Sequence, residues 1–189
     1  MTPAVLAARP GWERRAAALV RSAPAGPAGN RLVTVDGFSG AGKTTRSGEL
    51  ARELGAPLLE IEDLCPGWAG LPRAPELARH GIGEPLAAGR TLRWTSWDWE
   101  RDRPGPEREQ PPAAVVVLEG CGAGAAPLAP VTSLVVWVDV PADVREERLR
   151  ARPDWPLYRP HRDGWRRAEE ELAADGRTRE RAGLLLVDP

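Results

Sequence analysis

Residues 31 to 54 constrain this chain more than any other stretch. Arg31 to Asp36 (RLVTVD) is a short β-branched run, Gly37 to Thr44 (GFSGAGKT) is a glycine-rich turn, and Lys43 to Leu54 has helical spacing stopped by Gly55. The turn follows the P-loop pattern of Gly, four residues, Gly, Lys and Ser/Thr, in the strand-to-helix context that this pattern needs. In that context successive backbone N–H groups and a helix N-terminus converge on phosphate oxygens. The expected nucleotide contacts are Gly37, Ser39, Gly40, Ala41, Gly42, Lys43, Thr44 and Thr45. Lys43 would carry a mobile charge to the β- and γ-phosphates of ATP, and the Thr44 hydroxyl would ligate Mg²⁺. The alternative is a turn that binds nothing, and the flanking strand and helix weigh against it.

Lys43 is the only lysine among 26 basic side chains. A chain that writes arginine wherever a generic cation will do keeps a lysine where a planar guanidinium would not serve. The same count rules out an Asn-Lys-x-Asp guanine-reading motif and with it a guanine-nucleotide switch. With 26 basic against 27 acidic residues the chain lacks the cationic surplus of a nucleic-acid binder. The longest apolar runs, Ala113 to Leu118 and Leu134 to Val138, are far short of the roughly 20 residues of a membrane span. The N-terminal stretch carries Arg9, Arg14 and Arg15 and lacks an apolar signal core. Two cysteines and two histidines make neither a disulfide framework nor a zinc set. Together these features lead us to expect a cytoplasmic protein with neither nucleic acid nor membrane as partner.

The rest of the chain alternates. Residues 4 to 22 show helical spacing broken by Pro10 and Gly11, and predict a leading helix followed by a flexible linker over residues 23 to 30. Beyond Arg31 to Asp36, Pro57 to Ile61, Ala113 to Glu119, Leu134 to Val140 and Leu184 to Val187 are apolar runs of strand length with helical or loop segments between them. The pattern predicts an α/β domain of three layers, a parallel sheet with helices on both faces, whose core spans residues 31 to 189. Arg101 to Pro112 (RDRPGPEREQPP) reads as an exposed loop and Arg152 to Pro160 as irregular.

Acids, arginines and tryptophans supply the candidate chemistry. Glu119 ends a buried-type strand on the rim where ligands sit in open α/β sheets, and either holds Mg²⁺ or caps the next segment. Glu62 and Asp63 end PLLEIED on the same rim, and one of them is the candidate base for a substrate hydroxyl. Asp36 either orients the glycine-rich loop or simply ends its strand. In PADVREERLRAR, Arg145, Arg148 and Arg152 share a helical face, as a lid over the triphosphate or as a solvated stripe paired with Glu146 and Glu147. Arg148 is the candidate for transition-state charge. In RWTSWDW, Trp97 and Trp99 share a face of an extended segment and could stack on a planar base, with Asp98 on a sugar hydroxyl and Trp68 in the same wall. Arg90, Arg93 or Arg101 could receive a substrate phosphate.

These segments resemble the uridine kinase-like branch of the P-loop nucleoside and nucleotide kinases, in its compact actinobacterial form. VTVDGFSGAGKTT is similar to the family's first strand and P-loop, IEDLCPGW to its acid-bearing segment, WDW to its nucleoside-site motif and VVVLEG to its glutamate strand. WVDVPADVREERLRAR resembles the fourth strand running into an arginine-rich lid, and RTRERAGLLLVD the closing segment. The resemblance covers about residues 30 to 189 and implies a five-stranded parallel sheet in the order 2-3-1-4-5 with a short lid. It implies an ATP- and Mg²⁺-dependent kinase of a nucleoside or nucleoside-like acceptor. Its base aspartate aligns with Glu62, next to Asp63. The rivals are a nucleotide or specialised-metabolite kinase of the same fold and a nucleotide-binding regulatory or assembly protein.

Overall fold

The computed structural model describes residues 2–188. Ala4–Ala7 forms strand β1 and Trp12–Ser22 helix α1, followed by β2 (Arg31–Asp36) and α2 (Lys43–Leu54). All of β2 except Arg31 is buried, as suits a central parallel strand covered on both faces. Gly55, in the left-handed region at φ 62°, ends α2 by returning its N–H to the last turn. Next come β3 (Leu58–Glu60), a tight turn over Ile61–Leu64, and the short helices α3 (Ala74–Ala78) and α4 (Glu84–Ala87). Strands β4 (Leu92–Asp98), β5 (Arg103–Gln110), β6 (Val115–Glu119) and β7 (Leu134–Asp139) follow. The chain closes with α5 (Ala142–Arg150), α6 (Trp155–Tyr158), α7 (Arg162–Asp175), α8 (Thr178–Arg181) and β8 (Leu184–Val187).

The main sheet has six parallel strands in the order β1-β8-β7-β2-β6-β3. It therefore departs from the expected five strands and their order by one added edge strand. Ala4 to Ala7, expected as the start of a helix, instead pairs with Leu184 to Val187 in parallel register. Four residues are too few to show a period, and the free edge of β8 decides their conformation. The strands running from β3 to β8 keep β6 beside β2, which places Glu119 alongside Val35. On one face, α1 and α2 pack Trp12, Ala16, Val20 and Leu50 against Val33, Val35 and Val136. On the other, Leu71, Ile82, Leu128 and Trp165 cover Leu32, Val116 and Leu118. Leu6 is 5% exposed within the first layer. Leu6→Ala is expected to cost about 2–4 kcal/mol in chemical denaturation, and a loss under about 0.5 kcal/mol would mean that β1 is not docked.

The segment expected as an exposed loop over 101–112 is also corrected. Arg103–Gln110 is a strand that pairs antiparallel with β4, with a register shift between Thr95 and Trp97. Its two prolines are tolerated because this two-stranded ribbon has two free edges. The irregular stretch from Arg152 contains the single turn of α6.

Candidate active site

The glycine-rich turn runs from the C-terminal end of β2 to the N-terminus of α2. Gly40 lies at φ 81°, and a Cβ there would collide with the main-chain oxygen of Arg145 at the start of α5. The loop is thus held against α5 by a contact that only glycine permits. Gly40→Ala is expected to destabilise the fold by about 1–3 kcal/mol and to abolish nucleotide binding; wild-type ATP affinity would show that the contact is dispensable. Gly42 caps α2 with no side-chain acceptor, so no cap side chain claims the first N–H groups of that helix.

Asp36 is 3% exposed, and its carboxylate accepts N–H groups from Gly37 at 2.7 Å, Gly124 at 2.8 Å and Gly122 at 3.0 Å. It clamps the glycine-rich turn to the turn after β6. Burial raises its carboxyl above the usual range, against the pull of those amides and Lys43.

Lys43 is 8% exposed, and its ammonium donates to Cys121 Sγ at 3.2 Å and the Phe38 carbonyl at 3.4 Å. Burial opposes its charge, but the acidic neighbours Cys121, Glu62, Glu169 and Glu119 outweigh this and hold the group above the ordinary lysine value. The Cys121 thiol is itself pushed up by burial and stays neutral at physiological pH, so the carboxylates supply the field. Glu62, on the turn after β3, accepts the Cys121 N–H at 3.3 Å. A Cβ at Gly120, φ 128°, would strike its carboxylate. Burial pushes Glu62 up to about 7, with Lys43 opposing and Glu119 assisting. Glu119 is 3% exposed; burial raises its carboxyl while Lys43 and the Thr44 hydroxyl restrain it.

These groups open on one cavity of about 570 Å³. Of the residues expected at the site, Ser39, Gly40, Gly42, Lys43 and Thr44 line it from the glycine-rich turn and the start of α2. Glu62, Glu119, Arg148, Arg152, Trp68 and Trp99 line the remainder. The structure does not bring the others there. Asp63 lies outside the lining and acts on Glu60, whose carboxyl rises through burial and then through the Asp63 charge. Arg145 instead braces the loop, donating to the Ser39 carbonyl at 3.2 Å with its guanidinium 4.9 Å over the Phe38 ring. Trp97 and Arg93 line a separate cavity of about 450 Å³. Asp98 is paired with Arg101 at 2.9 Å, and Arg93 with Glu109 across the β4–β5 ribbon at 3.4 Å. Trp97 and Trp99 part company because β4 ends at Asp98, so the alternation that would align them stops between the two. Arg148 reaches Asp188 at 3.2 Å and Arg152 reaches Asp154 at 2.5 Å, beyond the end of α5.

Sequence reasoning missed Glu169. It is 4% exposed and accepts the Ser39 hydroxyl at 2.8 Å, the Ser39 N–H at 2.9 Å and Cys121 Sγ at 3.2 Å. Its signal was its place on α7, four residues after Trp165 and three before Leu172, on the apolar face. The acidic run Glu169-Glu170-Glu171 disguised it as surface. Tyr158 and Trp165, from the segments after α5, also line the cavity and were not foreseen.

The Thr44 hydroxyl and the Glu119 carboxylate line the same cavity and make an oxygen donor set that fits a hard cation. Among the described residues no group of three or more His, Cys, Asp or Glu could hold a metal ion.

No family model matches the sequence, and no curated relative does. Solved structures do. A possible uridine kinase from Bacillus stearothermophilus superposes with a TM-score of 0.63 at 19% identity, over 93% of this chain and 98% of that one. The chain has the fold of the uridine kinase-like P-loop kinases. Other structures with this P-loop kinase fold are more distant. A candidate kinase of a fructose transport system from Silicibacter sp. TM1040 gives a TM-score of 0.53 at 22% identity, over 82% and 89% of the two chains. Shikimate kinase from Bacteroides thetaiotaomicron gives 0.50 at 20%, over 82% and 85%. Among the described residues no helix is long and apolar enough to cross a membrane.

Proposed function

We propose that the protein is an ATP- and Mg²⁺-dependent small-molecule kinase that transfers the γ-phosphoryl group to a hydroxyl. One observation carries the proposal: a single cavity joins the P-loop lysine to a carboxyl group, Glu62, that titrates near neutrality. A base is most useful when its pKa lies near the working pH. In this reading Lys43 and the loop amides hold the triphosphate, while Thr44 and Glu119 hold the metal. Bound there, Mg²⁺ would neutralise phosphate charge. The acceptor hydroxyl gives its proton to Glu62 as its oxygen forms a bond to the γ-phosphorus, and the bond to the β-phosphate oxygen breaks to release ADP. Arg148 and Arg152, freed from Asp188 and Asp154, meet the charge on the phosphoryl oxygens.

The nucleoside-like acceptor rests on the sequence resemblance and on Trp68 and Trp99, since Trp97 and Asp98 face elsewhere. A nucleotide acceptor has less support, because neither Arg93 nor Arg101 lines the cavity. The test is turnover: purified protein with Mg-ATP and a panel of nucleosides, nucleotides and simple alcohols is expected to yield a phosphorylated acceptor and equimolar ADP by mass spectrometry. ATP binding without any phosphorylated acceptor would hand the site to a nucleotide-binding regulatory protein.

A further inference from the structure

Glu169 is a buried acid to which the proposed chemistry gives no task. It is 4% exposed on the apolar face of α7, whose ion pairs are made instead by Arg162, Arg166 and Glu170. A buried carboxylate without a cation is costly, and an apolar side chain would fill the same space without that cost. What the carboxylate holds is therefore informative. One oxygen, Oε2, accepts the Ser39 hydroxyl at 2.8 Å, the Ser39 N–H at 2.9 Å and the Cys121 thiol at 3.2 Å. The Ser39 carbonyl accepts from Arg145 of α5 at 3.2 Å. Every hydrogen-bonding group of Ser39 is thus engaged by the protein. Cys121 is held twice, its N–H by Glu62 and its thiol by Glu169.

The helix that carries Glu169 touches each part of the site in turn. Residues 162, 165, 169 and 172 are spaced by three or four and so share one face of α7. Arg162 donates to Glu146 of α5 at 3.0 Å, and Trp165 lines the cavity against Trp68 and Trp99. Leu172 packs on the turn after β6, where a Cβ at Gly122 would sit 3.0 Å from its Cδ1. Glu169 is the member of this row that reaches the glycine-rich turn.

We infer that Glu169 is a positioning residue: through its carboxylate α7 sets Ser39, and with it the glycine-rich turn, against the tryptophan wall of the same cavity. The inference rests on the proposed nucleotide site and not on phosphoryl transfer, so binding is measured apart from turnover. Reach and charge can be separated. Glutamine keeps the reach and an accepting oxygen but loses the charge, whereas aspartate keeps the charge and falls short by one methylene. A carboxylate that acted only through its field would oppose a triphosphate, so aspartate would then resemble the parent. Calorimetric titration of the full chain with Mg-AMPPNP, a non-hydrolysable ATP analogue, is expected to show Glu169→Gln binding at least as tightly as the parent. Glu169→Asp should bind about tenfold more weakly. Equal affinity in all three proteins, or a loss in Glu169→Gln as large as in Glu169→Asp, overturns the inference. A residue that only stabilised the fold would give the first of these results, with melting temperatures shifted and the affinity of the folded protein unchanged. No saturable binding by the parent up to about 5 mM overturns this inference and the kinase reading together. A loss in Glu169→Asp with no phosphorylated acceptor from the Mg-ATP panel removes the kinase reading and leaves the positioning role. Turnover in the parent with equal affinities does the reverse.

Discussion

Lys43→Ala is expected to lower phosphoryl transfer at least roughly 10³-fold while leaving a folded protein, with activity followed as ADP release and folding by circular dichroism. The size of the loss follows from placement. The ammonium is buried at the start of α2, held charged by Glu62, Glu169 and Glu119, and anchored only by the soft contacts to Cys121 Sγ and the Phe38 carbonyl. A cation so weakly engaged is free to move onto a phosphate oxygen. Lys43→Arg keeps the charge and should still lose about 10²-fold, because a planar fork cannot replace a compact mobile ammonium in that space. Stability carries a second, independent signature. Without Lys43, Glu62 and Glu119 lose a neighbour that lowers their pKa, so more of their protons are bound in the fold. The variant should therefore be close to the parent near about pH 6 and fall behind it as pH rises to about 8. Preserved transfer in Lys43→Ala would remove the phosphate-site assignment itself.

The P-loop was legible because everything that makes it work is local: eight residues, a strand before them and a helix after. The five strands from β2 to β8 in the main sheet were legible because burial on both faces writes them as continuous apolar runs. Strand β1 was not, since AVLA acquires its conformation from the edge of β8, which arrives at the far end of the chain. The β4–β5 ribbon hid behind RPGPEREQ, a segment with two prolines and no alternation, whose only strand partner among the described residues is β4, outside the main sheet. At the site, Glu62 and Glu119 announced themselves by ending apolar runs. Whether Asp63 or Glu62 entered the cavity depended on a tight turn after β3 that no period encodes. Glu169 was written in the helical spacing of Trp165, Ala168 and Leu172, but recognising it required knowing that a buried carboxylate had Ser39 and Cys121 to accept from. Polar groups belong in a core only with partners, and those partners lie far away in sequence.

Glu62→Gln is the sharper test, because it is expected to move activity and stability in opposite directions. Glutamine keeps the shape and can still accept the Cys121 N–H, but it cannot take a proton from an acceptor hydroxyl, so transfer should fall about 10²- to 10⁴-fold. In the parent protein, transfer should rise about tenfold per pH unit below neutrality and level off above about pH 7, where Glu62 is ionised. The variant should lose that limb. Stability runs the other way. In the fold the Glu62 carboxyl is raised from 4.5 to about 7, so between these values the native state binds a proton that the unfolded chain has released. The stability this supplies is present in full below about pH 4.5 and is lost as pH rises through about 7. The substituted glutamine behaves as a permanently protonated group, so the variant's melting temperature should exceed that of the parent at about pH 8 and converge with it near about pH 4. A catalytic base in a site that taxes its charge must show both effects. If the variant melts lower than the parent at that higher pH, Glu62 is a stabilising ion-pair partner of Lys43 rather than a base under strain. If transfer survives, the proton goes to another group, and Glu60, the remaining carboxylate of that edge in the cavity, becomes the next residue to replace.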